Sequence, residues 1–293
     1  SMQRKRKWWF AAMLTPTLLV FALVFAYPTW VVIASSFTDW RLIGERTYIG
    51  WENYRNIFTK DRDFVTALTN TVIWIILEGT VHVSLGVIMA LIIYKRPKGW
   101  KLLRTAYYMP NVVATSAMAM LFTNIYSPNY GILNGIIRMV TGNPNFSQNW
   151  LNDPKTAFLS VTLCWIMYAG LVMIIVYTDI MSIDNSVLEA ARIDGASRGQ
   201  IDRLVVLPLV RNSIVTCVII ASTSKLKEFE MIYLTTKGGP LNLTTNLPLL
   251  VYKYAMVSGN YGYANTYGTL LILLGLMIVA IQSVVLKLGS DDR

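Results

Sequence analysis

Five long stretches of this 293-residue chain are almost free of charged side chains, and they constrain its fold more than any other feature. They are residues 8–38, 105–137, 156–178 and 254–286, together with 64–94, which contains only Glu78. About 20 consecutive apolar residues are enough for a helix to cross the hydrocarbon core of a bilayer. Only 14% of all residues are charged, against about 25% in an ordinary globular domain. The pattern therefore predicts a helical integral membrane protein and excludes a disordered chain.

A sixth span is less clearly marked. Residues 212–224 carry no charge, but a helix of this length covers only about 20 Å of a core that is about 30 Å thick. We therefore expect the helix to continue past Lys225 to about Thr235, with charges at membrane depth; a re-entrant hairpin is the alternative. The sequence thus predicts one all-α transmembrane domain over residues 1–293. Its six predicted spans are about 10–36, 65–94, 105–126, 156–178, 209–235 and 263–287.

Basic residues are concentrated in the segments that six spans would place in the cytoplasm. Residues 4–7 are Arg-Lys-Arg-Lys, the loop 95–104 has five basic residues, and the loop 179–211 has four arginines. Because cytoplasmic loops are rich in Lys and Arg, both termini are predicted to be cytoplasmic. This topology accounts for the net charge of +10, so nucleic-acid binding is not expected. One histidine and two cysteines exclude a Cys/His metal cluster and a disulfide framework.

The last of these loops contains a segment patterned as two short helices. Ser186 and Glu189 have the spacing of a capping box, and so do Ser197 and Gln200. Gly195 lies where the first helix would end in a left-handed residue. A proline, Pro208, then suits the first turn of the next helix. Loops this ordered are usually functional, so we expect a compact helix–Gly–helix segment on the cytoplasmic face.

This segment resembles the EAA motif of permease subunits of binding-protein-dependent ABC importers. The pattern Glu189-Ala190-Ala191, three residues, Gly195, nine residues, Val205-x-Leu207-Pro208 keeps the full spacing, with Val205 in place of the usual Ile. Other stretches resemble the carbohydrate-uptake, maltose-permease-like branch of that family. These are Tyr27-Pro28, 50–54, Asn70-Thr71 and 234–240. The resemblance covers about residues 8–288.

The resemblance implies the six-helix, type I (MetI-like) architecture of ABC importer permeases and alternating access driven by a separate ATPase. Residues 186–204 would be the coupling helices that dock on this ATPase. The positions assigned to coupling are Glu189, Ala190, Ala191, Asp194, Gly195, Ser197 and Pro208. The chain contains no G-x-x-x-x-G-K-[ST] sequence, so ATP and Mg would be bound by the partner. No cofactor, metal or enzymatic activity is expected in the chain itself.

The same resemblance implies the partners and the location of the protein. The expected partners are a second, related permease, two ATPase subunits, an extracellular or periplasmic solute-binding protein and a carbohydrate. The expected location is the cytoplasmic (inner) membrane of a bacterium or archaeon.

Substrate-contacting side chains are implied on two spans. The matching positions are Ala221, Ser224, Lys225 and Glu228 on the fifth span, and Cys164, Met167, Tyr168 and Leu171 on the fourth. Because ionisable residues within a membrane favour a functional role, we expect Tyr168, Lys225 and Glu228 to line a central cavity and bind a sugar. The alternative is two internal i, i+3 salt bridges, Lys225 with Glu228 and Lys227 with Glu230.

Glu78 and His82, four residues apart in the second span, leave another function open. They would form either a hydrogen-bonded pair facing other helices, which an ATP-driven machine favours, or the proton relay of a secondary transporter. Within the importer class, a glycerophosphodiester or an acidic oligosaccharide is the other substrate considered. Lys225 and Lys227 would suit such a solute, whereas Glu228 beside them argues against a purely anionic site. The leading prediction is a permease subunit that takes up a sugar or oligosaccharide.

Overall fold

The computed structural model describes residues 2–166 and 169–285, and the chain is mostly helical over these ranges. It divides into two compact units. The first comprises the residues up to Asp61 together with Leu250–Leu274, and the second comprises Arg62–Leu249 and the residues from Gly275 onward.

Two long helices characterise the first unit. The stretch Met13–Ser35 is a candidate span of 23 residues, and Tyr261–Val285, which continues into the second unit, is a candidate span of 25 residues. The elements before Asp61 are Met2–Phe21, a π-helix Ala22–Ala26, Tyr27–Ser35, Glu52–Lys60, and the antiparallel strands Thr38–Asp39 and Thr47–Tyr48. The helix Leu247–Tyr252 and the π-helix Lys253–Val257 precede Tyr261–Val285.

One carboxylate ties parts of the first unit together. Oδ2 of Asp61 accepts hydrogen bonds from the hydroxyls of Tyr254, Tyr263 and Tyr267 at 2.9, 3.4 and 2.6 Å. Hydrogen bonds to an ionised acceptor are stronger than those between neutral groups. Asp61, which follows the helix Glu52–Lys60, is thereby held against the start of the last long helix.

A 33-residue helix, Arg62–Tyr94, is central to the second unit. It consists of Arg62–Leu77, a π-helix over Glu78–His82, and Val83–Tyr94. It packs against the candidate span Ala157–Met181, whose described α-helical parts are Ala157–Ile166 and Gly170–Met181. At Gly86 the two helices approach so closely that an added Cβ would lie 2.6 Å from Cβ of Val172. Small and branched side chains, such as Ala90, Ile93 and Val176, fill the buried core beside this crossing.

The third predicted span, 105–126, is not one continuous helix. The structure has an α-helix over Trp100–Tyr108, a 3-10 turn over Met109–Asn111, and a second α-helix over Thr115–Ile125. Pro110 contributes to the interruption, because proline has no amide hydrogen and cannot continue the i→i−4 hydrogen bonding of the helix. The absence of charged residues shows that this stretch is apolar, but it does not predict whether the helix is continuous.

The fifth predicted span, 209–235, is interrupted twice. A helical run over Arg198–Leu209 meets the helix Arg211–Ser224 at a bend of 68°. The run consists of Arg198–Ile201, a π-helix over Asp202–Val206, and Leu207–Leu209. The predicted continuation through Lys225 is wrong, because the helix ends at Ser224 and a new helix starts only at Glu230–Thr235. Nδ2 of Asn246 donates to the backbone carbonyl of Glu228 at 2.6 Å, which satisfies a backbone acceptor in the turn.

By length and composition, the part of the chain that the structure describes supports four membrane-crossing helical stretches, or five if the bent pair counts as one span. They overlap the predicted spans 10–36, 65–94, 156–178 and 263–287, although residues 167–168 and 286–287 lie outside the described residues. Shorter helices cover Ile132–Thr141 and Asn185–Ile193. The chain is therefore a mostly helical membrane protein with four or five apolar spans.

Candidate functional site

A cavity of about 270 Å³ lies within the second unit. Much of its polar lining comes from backbone that departs from α-helical geometry: the π-helix Glu78–His82, the turn at Asn111, and the turn that follows Ser224. Irregular backbone at membrane depth is tolerated where it is buried in protein or lines a cavity, and π-helical turns frequently occur at functional sites. The two helix interruptions that the sequence did not reveal therefore help to form this site.

An ion pair lies at the centre of the lining. Nζ of Lys225 is 2.9 Å from Oε1 of Glu78, and their side chains are only 8% and 7% exposed. The indole ring of Trp165 covers the ammonium, with Nζ 3.7 Å from the ring centroid. A buried charge is tolerated when it is paired, and an aromatic face adds a cation–π attraction. The positive charge of Lys225 is therefore balanced by Glu78 inside the protein.

The two salt bridges expected within the helix do not form in the described part of the chain. Residues three apart meet only on a continuous helix, and the backbone after Ser224 is not helical. Oε1 of Glu228 instead accepts a hydrogen bond from the amide of Met231 at 3.2 Å. The side chains of Lys227 and Glu230 are exposed.

Three buried nitrogen atoms around the cavity have no hydrogen-bond partner among the described residues. They are Nδ1 of His82, Nδ2 of Asn111 and Nε1 of Trp165. Nδ1 of His82 lies 3.4 Å from Oε2 of Glu78, and this contact is electrostatic rather than a directed hydrogen bond. Because buried polar groups are almost always hydrogen-bonded, these atoms provide capacity for a polar guest.

The predicted substrate positions are only partly brought together. Ser224, Lys225 and Glu228 line the cavity, and so do Ala221 and Leu171. Met167 and Tyr168 lie outside the described residues.

Cys164 requires a correction. It is fully buried away from the cavity, and its thiol donates to the carbonyl of Ser160 at 3.3 Å. The next residue, Trp165, lines the cavity in its place, because one residue of helix rotates the side chain by about 100°. If the predicted set of positions on this helix had been shifted by one residue, so that it began at 165 instead of 164, it would have included Trp165. For Asn111, which also lines the cavity, the sequence feature that could have indicated its role is the neighbouring Pro110, because a proline predicts a helix interruption there.

The segment 186–204 begins with a cap that differs from the predicted one. Asp184 is the N-cap of the helix Asn185–Ile193, and its Oδ1 accepts from the amide of Ser186 at 2.9 Å. The predicted capping box of Ser186 and Glu189 is therefore wrong. Aspartate is as good an N-cap as serine, and its charge also interacts favourably with the helix dipole. The hydrogen bond from the Ser186 amide lowers the pKa of Asp184.

The remainder of the segment follows its predicted local geometry. Gly195 has φ +81°, and the amides of Gly195 and Ala196 donate to the carbonyls of Arg192 and Ala191, as in a Schellman motif. The capping box of Ser197 and Gln200 is confirmed.

Pro208 does not begin the next helix. It lies within Leu207–Leu209, and the new helix starts at Arg211 after the bend. The helical run before the bend accommodates proline beside the π-helical turn Asp202–Val206, where regular i→i−4 bonding is already altered.

One side of this segment is anchored and the other is exposed. Leu188 and Ile201 are buried in the hydrophobic core of the second unit. Glu189, Ile193 and Asp194 are exposed, and Ile193 reaches 86%. The other predicted coupling residues are Ala190, which is exposed, and Ala191, which is half-buried.

Comparison with known proteins agrees with this architecture. Residues 82–287 match the family model described as "binding-protein-dependent transport system inner membrane component". The multiple sugar-binding transport system permease protein of Streptococcus mutans is 30% identical over 277 residues, which cover 93% of each chain. The trehalose/maltose transport system permease protein of Thermococcus litoralis is 28% identical over 87% of this chain and 84% of its own.

Solved structures share the fold. A chain of a bacterial alginate ABC transporter, crystallised in complex with an alginate pentasaccharide-bound periplasmic protein, has a TM-score of 0.82 at 23% identity. The match covers 96% of this chain and 95% of the other. A chain of the inward-facing MetNI methionine ABC transporter has a TM-score of 0.55 at 17% identity, over 76% of this chain and 94% of the other. Because the family model covers most of the sequence, the chain belongs to the inner-membrane permease components of binding-protein-dependent ABC importers, whose ATP hydrolysis is carried by partner subunits.

Proposed function

We propose that this permease subunit imports a neutral sugar or oligosaccharide and that the cavity around Lys225 lies on the path of the substrate. The observation that carries the proposal is the pairing of Lys225 with Glu78 beneath the ring of Trp165. This pairing removes the free cation that an anionic solute would need. The names of the relatives from Streptococcus mutans and Thermococcus litoralis, which refer to sugar uptake, support the same substrate class.

The charges around the cavity argue against an acidic substrate. Two carboxylates, Glu78 and Glu228, line it with one ammonium, Lys225, so the formal charge of these groups is negative and would not become positive even with His82 protonated. An anion entering the cavity would meet Glu228 without a compensating cation, which raises its free energy. A glycerophosphodiester or an acidic oligosaccharide is therefore the weaker alternative.

The part of the lining outside the Lys225–Glu78 ion pair suits a sugar. Sugar hydroxyls both donate and accept hydrogen bonds, and Glu228 can accept them. Of the nitrogen atoms without a partner in the described chain, Nδ2 of Asn111 and Nε1 of Trp165 are donors. Apolar neighbours such as Leu171 and Ile220 complete the wall. A mainly apolar cavity with a few placed polar groups is the usual form of a small-molecule site.

A proton-coupled carrier based on Glu78 and His82 is not supported. The family match assigns the chain to importers that are driven by ATP hydrolysis in partner subunits. Glu78 also has a structural role, because it is the counter-charge of a buried lysine.

For the complete subunit we propose the six-span topology, with both termini in the cytoplasm. The broken stretch 100–125 would serve as the third span, and the helix Arg211–Ser224 with the residues that follow it to about Thr235 would serve as the fifth. The segment 186–204 would then face the cytoplasm and dock through Glu189 and Ile193 on an ATPase. A second related permease, two ATPase subunits and an external solute-binding protein would complete the assembly. The alginate transporter crystallised with its periplasmic protein supports this kind of complex.

Uptake by the complete importer in proteoliposomes tests the proposal. Glu228→Gln keeps an acceptor oxygen for the Met231 amide but removes the charge, and should lower sugar uptake about tenfold, the difference expected when a hydrogen bond to a charged group is weakened. Glu230→Gln is the matched control, because Glu230 is exposed and does not line the cavity.

The ATPase subunits should still co-purify with both variants. Unchanged uptake by Glu228→Gln would remove the cavity from the path. Competition by acidic oligosaccharides that exceeds competition by neutral ones of equal length would overturn the neutral-substrate assignment.

A further inference from the structure

A second, larger cavity lies at the end of two membrane-length helices. It has a volume of about 750 Å³. Tyr94, the last residue of Val83–Tyr94, and Met181, the last residue of Gly170–Met181, both line it. A cavity at the ends of two spans lies at the depth where the hydrocarbon core gives way to lipid headgroups.

The lining of this cavity is strongly basic. Four cationic side chains face one carboxylate, an excess of three positive charges. The four are Lys95, Arg96, Arg192 and Arg198, and the carboxylate is Asp202. Nζ of Lys95 lies 2.5 Å from Oδ2 of Asp202, so the single carboxylate is already engaged by the lysine. Three guanidinium groups remain, and guanidinium is the side-chain group best matched to the oxygens of phosphate.

The segment 186–204 contributes to this cavity, but none of the seven positions assigned to coupling lines it. Leu188 and Arg192 are four residues apart on the helix Asn185–Ile193, and both line the cavity. Glu189 and Ile193 follow them by one residue, are exposed, and do not line it. The cavity is thus formed by a different stripe of the same helix from the one proposed to dock.

The backbone at Arg96 supports a binding role. Arg96 has φ +50°, a left-handed conformation that favours glycine or asparagine at the end of a helix. Its amide donates to the carbonyl of Ile93 at 2.9 Å. An arginine held in this conformation is strained, and such strain is concentrated at functional sites. Its guanidinium also lies 5.7 Å from the ring centroid of Trp100, and tryptophan is enriched at membrane interfaces.

We propose that this basic cavity binds a phosphate group, and that in the membrane the group is the headgroup of an anionic phospholipid. Basic pockets at the cytoplasmic ends of spans bind such headgroups. The placement of the cavity on the cytoplasmic side depends on the topology proposed above. The lining and charge of the cavity are independent of that topology. A headgroup that contacts Arg96 and Arg192 together links the loop after the second span to the helix Asn185–Ile193. Anionic lipid then stabilises the orientation of the segment that docks on the ATPase.

The test measures lipid binding by the complete transporter and does not depend on uptake. The transporter is placed in nanodiscs of phosphatidylcholine, alone or with 20 mol% phosphatidylglycerol, and its thermal midpoint is measured. Anionic lipid should raise the midpoint of the wild type, and Arg96→Gln/Arg192→Gln should lose at least half of this rise. The matched control, Lys98→Gln/Lys101→Gln, removes the same charge from neighbouring residues that do not line the cavity, and should keep the rise.

Two further arms make the outcome decisive. Inorganic phosphate is titrated into the phosphatidylcholine nanodiscs at constant ionic strength. A rise that depends on Arg96 and Arg192 assigns the site to soluble phosphate, and its absence leaves the lipid as the source. Equal losses in both double variants, or none in either, overturn the proposal. If Arg96→Gln/Arg192→Gln does not assemble, Arg96→Lys/Arg192→Lys keeps the charge without the planar fork, and should still weaken the response.

Discussion

The ammonium of Lys225 and the carboxylate of Glu78 meet at 2.9 Å, and each belongs to a stretch where an α-helix gives way to other geometry. Glu78 begins the π-helix Glu78–His82, and Lys225 is the first residue after the helix Arg211–Ser224. The ion pair therefore holds together two irregular segments that border the proposed substrate cavity.

Removing either partner should destabilise the protein more than removing both. Glu78→Gln leaves Lys225 buried without a counter-charge, and breaking a buried pair in this way costs about 3–5 kcal/mol. The double variant Glu78→Gln/Lys225→Met buries no charge at this position and should recover most of the loss. Thermal unfolding of the purified complex measures Glu78→Gln, Lys225→Met and the double variant. Additive losses in the double variant would show that the two groups act independently.

The close approach of Gly79 to the fifth-span helix should make alanine costly there. An added Cβ at Gly79 would lie 2.6 Å from Oγ of Ser222, so Gly79→Ala should cost about 1–3 kcal/mol through overpacking. Gly79→Ala/Ser222→Ala should recover most of that loss, because the clashing oxygen is removed. Gly135→Ala is the control, since Gly135 is helical with nothing within 4 Å of its added Cβ, and it should be neutral or stabilising. A Gly79→Ala protein as stable as the control would contradict the close packing.

Gly195 should be sensitive to substitution through its backbone rather than through space. Nothing lies within 4 Å of an added Cβ, but φ is +81°, so Gly195→Ala should cost about 1–2 kcal/mol of local stability. Gly195→Asn should cost less, because asparagine tolerates the left-handed region. Gly199→Ala, in the next helix and equally open, serves as the reference. Co-purification of the ATPase subunits should follow the order Gly199→Ala, Gly195→Asn, Gly195→Ala, and equal yields from all three would contradict a docking role.

Trp165 should affect transport through its indole N–H and stability through its ring. Trp165→Phe keeps an aromatic face over Lys225 and should leave the thermal midpoint close to wild type. The lost donor should raise the KM for sugar several-fold, as expected for about 1 kcal/mol of hydrogen bonding. Trp165→Leu should lower both stability and uptake. If Trp165→Phe transports with an unchanged KM, Nε1 does not contact the substrate.

The sequence revealed much of the membrane architecture because hydrophobicity is a local property. The charge-free runs 8–38, 156–178 and 254–286 could be identified one residue at a time, and each coincides with most of a long apolar helical stretch, Met13–Ser35, Ala157–Met181 and Tyr261–Val285 respectively. The turn at Gly195 and the box of Ser197 and Gln200 were also predictable, since both depend on neighbouring residues alone. Which of two possible N-caps is used was not predictable from the sequence. Asp184 rather than Ser186 caps the helix, although both residue types are favourable N-caps.

By itself, the sequence determined that this chain is a helical membrane protein, carries a capped helix–Gly–helix segment and resembles the ABC importer permeases. Only the tertiary structure decided what surrounds the charges at membrane depth. The sequence pattern paired Lys225 with Glu228, but the helix ends before that pair can form, and Lys225 reaches Glu78 on another helix instead. Likewise, Trp165 rather than Cys164 lines the cavity. Local spacing specifies which residues share a helix face only while the helix is continuous, whereas pairing between helices depends on packing of segments that are far apart in the chain.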